Sequence, residues 1–235
     1  MADTRPTGPS GSPLVGRGDA DMHAAVTRSL LGYGLLAGPL YVVSALVQGL
    51  VRDGFDLTRH DVSLLANGPG GWVQIATFVV CGLMTIAAGV GMHRSLRVLD
   101  GGRRAWSGWL VVGYGIGLVG AGAFVADPIN GFPPGAPEGG VEVPSIGGLG
   151  HIAFAGLGFL CLIVACFVVP TSRPWFGRVT GIVFLIGFAG VTTGSSSPVV
   201  VIGFWVAVIL AWTWLAVTSL ELYRRTPLLT PAGVS

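Results

Sequence analysis

The chain reads as an all-α membrane protein, a bundle of six transmembrane helices with both termini in the cytoplasm. Three observations predict this. Of its 235 residues, 51% are hydrophobic and only 10% are charged, whereas a soluble domain carries roughly 25% charged residues. Six runs of about twenty apolar residues follow one another, each long enough to cross ~30 Å of hydrocarbon. The arginines alternate from loop to loop, and the rule that basic residues stay inside then orients the whole chain.

The six runs are Ser29–Val51, Trp72–Met92, Trp106–Ala126, Leu149–Val169, Phe176–Gly194 and Pro198–Leu220. Unbroken apolarity, without the alternation of a membrane barrel, selects helices. The first run is too long for a signal-peptide core and is read as a span. Residues 1–27, rich in Gly, Pro, Ser, Asp and Arg, are expected to form a disordered cytoplasmic tail. Residues 28–223 make the transmembrane domain and 224–235 a short cytoplasmic tail. With both termini inside, Arg5, Arg17, Arg28, Arg94, Arg97, Arg103, Arg104, Arg173, Arg178, Arg224 and Arg225 are cytoplasmic, and only Arg52 and Arg59 are outside.

All thirteen basic residues are arginine and 39 residues are glycine. This points to GC-rich bacterial coding and a bacterial plasma membrane. The juxtamembrane arginines are explained by topology and by membrane lipid, which excludes a nucleic-acid role. Cys81, Cys161 and Cys166 all lie inside apolar runs and read as small buried side chains. Glycines four residues apart (Gly34 and Gly38, Gly113 and Gly117, Gly177 and Gly181) allow helices to approach closely. They serve a compact bundle and equally a homodimer. Trp72, Trp106, Trp109 and Trp175 stand near the run ends, as interfacial aromatic belts do.

Polar chemistry concentrates on the extracytoplasmic side, above all in Arg52 to Gln74. His60, Asp61, Asp127 and His151 are the candidate catalytic or metal-binding residues, since imidazole and carboxylate suit zinc or a similar divalent ion. A water activated there would attack a lipid ester or amide at the outer leaflet. No spacing fixes two such ligands on one helix face, and no cofactor motif is readable. A metal-free variant pairs His151, oriented by Asp127 or Asp61, with a hydroxyl among Ser195, Ser196 and Ser197.

The competing reading is structural. Asp61 precedes Ser63, Leu64 and Leu65 as a helix cap would. Asp127-Pro128 ends the third span, and Arg59 pairs with Asp56, Asp61 or Asp127. An outer-face network of Arg52, Asp56, Arg59, Ser63, Trp72 and Gln74 then holds the loops together. With no charge deep in a span, an ion-coupled transporter is disfavoured. The leading expectation is a binding or structural membrane protein, with a membrane-embedded lipid hydrolase as the alternative.

The first outer loop, with Arg52, Gly54, Phe55, His60, Ser63, Leu65, Gly68, Gly71, Trp72 and Gln74, resembles the bacterial and archaeal integral membrane family called domain of unknown function 998. Asp127-Pro128, the turn that follows it, and His151 extend the likeness across the six runs. It departs from that family's pattern at Asp61, where many relatives carry proline. The resemblance implies a six-helix membrane protein and brings no established activity.

Overall fold

The computed structural model describes residues 13–226. Residues 1–12 and 227–235, the ends of the two expected tails, lie outside the described residues. Six α-helices follow in order: α1 (Pro13–Val51), α2 (Gly71–Leu99), α3 (Ser107–Ala123), α4 (Ile146–Val168), α5 (Pro174–Val191) and α6 (Pro198–Arg225). A 3₁₀ helix, Val62–Ala66, lies between α1 and α2. Among the described residues no strand forms, only an isolated bridge between Ile129 and Phe132.

Local chemistry sets the helix ends. Proline opens α5 and α6, where its missing N–H has no helical partner to lose. Ser145 caps α4, its hydroxyl accepting from the Gly148 amide at 2.9 Å. At the end of α5 the hydroxyls of Thr192 and Thr193 donate back to Ala189 and Gly190 carbonyls, at 2.8 and 2.7 Å. The helix therefore closes at Val191, short of the expected Gly194. The third helix also stops early. Phe124 is already extended, so Asp127-Pro128 follows the end of α3 and does not cause it.

Five of the helices are long and apolar enough to cross a membrane. This makes the chain a multi-pass membrane protein. The exception, α3, has 17 residues and is roughly 26 Å long at 1.5 Å per residue. In mid-helix Leu36, Leu83, Leu157, Ile186 and Val206 are each more than half exposed, an outward apolar surface that water would not tolerate on a monomer. Trp72, Trp106, Trp109 and Trp175 are exposed as well, as the belt reading requires.

The first helix corrects the expected tail. Residues 13–27 are helical and extend α1 beyond its apolar run. Partners on other helices explain this. Arg94 of α2 donates to Thr27 at 3.2 Å and lies 3.2 Å from His23, and the Arg28 guanidinium stands 4.2 Å from the centre of the Tyr223 ring of α6.

Each helix packs on its sequence neighbours, and α6 returns to α1, so the six form a ring. Glycine makes α3 fit between α2 and α4. A Cβ on Gly89 would stand 2.8 Å from the Gly108 carbonyl oxygen, and one on Gly117 would stand 2.6 Å from the Gly158 Cα. The glycines that the sequence offers to a second copy are likewise used inside the chain: Gly34 faces Ser219, Gly38 Trp212, Gly113 Cys161, Gly177 Cys166 and Gly181 Phe167. Cys81 and Cys166 are buried and all three thiols are free.

Candidate functional site

The α1–α2 loop folds around His60. Asp56 first makes a local turn, its Oδ1 accepting from the Thr58 amide at 2.8 Å and hydroxyl at 2.7 Å. Those bonds hold its carboxyl below the usual range. The Asp56 amide then donates to His60 Nδ1 at 2.8 Å. A nitrogen that accepts carries no proton, so Nε2 holds the hydrogen and donates to the Asn130 carbonyl at 2.9 Å. Asn130 belongs to the α3–α4 loop and is held at φ 56, in the left-handed region that asparagine tolerates. His60 is 3% exposed, with both nitrogens engaged. It is a tie between two loops, with no lone pair left for a metal.

Aromatic and proline contacts widen this clasp. Phe132 is fully buried, 5.0 Å from Phe55 and 5.5 Å from His60 between ring centres. The Arg52 guanidinium lies 5.3 Å from the Phe132 ring centre. It donates to the Leu65 carbonyl at 2.9 Å and also to that of Asn67, while burial lowers its pKa. Gly54 and Gly68, both at positive φ, receive Pro134 and Pro133. Arg59 pairs with Glu138 at 3.2 Å and not with Asp56, Asp61 or Asp127. Both partners are exposed, so this pair is worth less than ~1 kcal/mol.

Of the other network residues, Gln74 is fully buried and accepts from Gln48 Nε2 at 2.8 Å. Gln48 also reaches the Ser44 hydroxyl at 3.2 Å, and Ser44 meets Thr77 at 2.7 Å. This polar seam joins α1 to α2. Trp72 is 71% exposed and stays outside the network.

Beneath the clasp lies a cavity of about 340 Å³, at the small end of ligand pockets. Phe78, Leu118, Phe159, Phe188, Phe204 and Val208 contribute to its walls, and Tyr41 and Tyr114 stand beside them. Asp61, Ser63, Asp127 and His151 line it on the clasp side. His151 Nδ1 sits 3.0 Å from the Ala121 carbonyl oxygen and 2.9 Å from that of Phe124. Both are acceptors, so Nδ1 carries the proton and Nε2 presents a lone pair. Asp127 Oδ2 accepts from the Ser145 amide at 3.0 Å.

Asp61 differs from all of these. It precedes the 3₁₀ helix but makes no side-chain cap bond. Its Oδ1 is sealed from solvent with no donor, and burial pushes its carboxyl up to about 6.

The four candidates thus divide. Asp61, Asp127 and His151 line one cavity and His60 does not. Among the described residues no three His, Cys, Asp or Glu side chains converge as metal ligands would. His151 has carbonyl partners and no hydroxyl partner. The Ser195 amide donates to the Thr193 hydroxyl and the Ser197 amide to the Ser195 hydroxyl, and the three serines are not among the lining residues, although Thr192 and Gly194 beside them are. Sequence reasoning missed Phe132, Glu138 and Ser145. Only Ser145 carried a local signal, a serine opening an apolar run.

No curated protein and no solved structure matches the chain. Residues 35–221 match the family described as "Protein of unknown function (DUF998)", covering α2 to α5 in full, most of α6 and the C-terminal part of α1, and the chain belongs to that family.

Proposed function

We propose that this is a six-span protein of a bacterial plasma membrane, both termini cytoplasmic, that binds a small amphipathic ligand in the cavity under its clasp. The observation that carries the reading is the cavity itself. It has apolar aromatic walls and a few polar groups on one side, the composition of a ligand pocket and not of a packed core. The orientation is supported by Arg94, Arg97, Arg103, Arg104, Arg173 and Arg178, which fall in or beside the α2–α3 and α4–α5 loops, on the side away from the clasp. Binding is favoured over lipid hydrolysis because His151 touches backbone carbonyls and no nucleophile.

The test is native mass spectrometry of protein released from nanodiscs, wild type beside Leu118→Trp, which fills the cavity. A co-purifying amphiphile present in the first and absent from the second is expected. The same bound species in both would remove the cavity as the ligand site. Topology is checked in cells with a membrane-impermeant maleimide in a background lacking the native cysteines. Ser196→Cys should label and Ser172→Cys should not, and the opposite pattern would invert the orientation.

A further inference from the structure

The lining of the cavity has a one-sided charge. Asp61 and Asp127 stand on it, and among the described residues no arginine or lysine does. Asp127 has one backbone donor, but neither oxygen of Asp61 receives a hydrogen bond from the described residues, and one is sealed from solvent. His151, 7% exposed, spends its only proton on backbone carbonyls and offers Nε2 as an acceptor. The clasp side of the cavity therefore presents acceptors and negative charge, with the neutral Ser63 hydroxyl beside them and, among the described residues, no cationic group to receive a phosphate or a carboxylate. A carboxylate with one oxygen sealed and unpaired is destabilising, and a charged donor offsets that cost. A metal ion is the smallest cation that could do this, but among the described residues no three candidate ligands converge. The cation must be larger and must bring its own hydrogen-bond donors. The volume, about 340 Å³, suits one hydrocarbon chain and not the two chains of a phospholipid.

We infer that the cavity selects a single-chain amphiphile with a primary ammonium head, the head among Asp61, Asp127 and His151 Nε2 and the chain among Phe78, Leu118, Phe159 and Phe204. This rests on the cavity being the ligand site, and the experiment separates the two claims.

Dodecylamine, dodecanol and dodecanoate would be titrated below their critical micelle concentrations into the full-length protein in nanodiscs. Heats are followed by calorimetry with empty nanodiscs subtracted. The amine should bind at least ~10-fold more tightly than the alcohol or the acid, the effect of one charge-assisted contact. Asp61→Asn, close in volume and neutral, should bring the amine down to the affinity of the alcohol and leave the alcohol unchanged. Leu118→Trp should abolish binding of every probe. Equal or tighter binding of the alcohol or the acid to wild type overturns the ammonium assignment and leaves the cavity standing. Amine binding that neither substitution alters is partition into the bilayer and overturns both claims, as does an absence of binding by any probe.

Discussion

Replacing Asp61 with Asn should stabilise the ligand-free protein at neutral pH, by an amount that pH controls. Burial raises this carboxyl from an ordinary 3.8 to about 6. For an acid shifted upward, the folded chain holds its proton more tightly than the unfolded chain. Below about pH 4 both states are protonated and Asp61 costs little. Between about pH 4 and pH 6 the unfolded chain ionises first, so stability falls as pH rises, and above about pH 6 the loss is complete. The interval is worth roughly 3 kcal/mol at ~1.4 kcal/mol per pH unit, and contact of the half-buried side chain with water brings this to about 1–3 kcal/mol. At ~2–4 °C per kcal/mol for a chain of this size, Asp61→Asn should melt about 2–12 °C above wild type at pH 7.5, and the gap should close toward pH 4. Asp56, held below its usual range, acts with the opposite sign and at lower pH. It is present in both proteins and cancels in their difference. The assay is tryptophan fluorescence during heating in one detergent at pH 4, 5, 6 and 7.5. A gap that is constant across that range, or an Asn variant that melts below wild type at pH 7.5, would refute the reasoning.

Three further outcomes can be measured in the same format. His60→Ala removes one buried and one part-buried hydrogen bond and ring contacts with Phe55 and Phe132, and should cost about 3 kcal/mol or more. Arg59→Ala should cost under ~1 kcal/mol, and equal melting points for these two variants would dismiss His60 as the tie. Gly117→Ala forces α3 from α4 and should cost about 1–3 kcal/mol, while Gly203→Ala, with nothing within 4 Å, should be neutral or stabilising. A loss that is no larger at Gly117 would show that the helices have room to separate. Gln74→Leu alone leaves a polar partner stranded and should cost about 1–3 kcal/mol, more than Gln48→Leu/Gln74→Leu together. Strict additivity of the two single changes would break the seam into independent groups.

The apolar runs were legible because a hydrocarbon solvent imposes length and composition on each span separately. The ends of those runs were less so. Helix α1 continues through Thr27 and His23 because Arg94 reaches them from another helix, a fact no local window contains. The same limit governs the site. In sequence His60 stands between Arg59 and Asp61 in a polar loop and His151 opens an apolar run, and neither setting names a partner. Their roles separate only through partners far along the chain, Asn130 for one and Ala121 with Phe124 for the other. Asp61 carries the cap signature, yet its carboxylate makes no hydrogen bond to the helix amides. Glu138 sits in a Gly- and Pro-rich stretch with nothing to mark it as the partner of Arg59, 79 residues earlier.

The clasp has a kinetic consequence. Two loops separated in sequence by all of α2 and α3 are fastened through one imidazole ring whose two nitrogens face opposite neighbours. Neither loop can lift without breaking the ring's hold on the other, so their openings are one event. Amide hydrogens that depend on this tie, including that of Asp56, should exchange with deuterium through a shared opening of both loops and not by independent fraying of each.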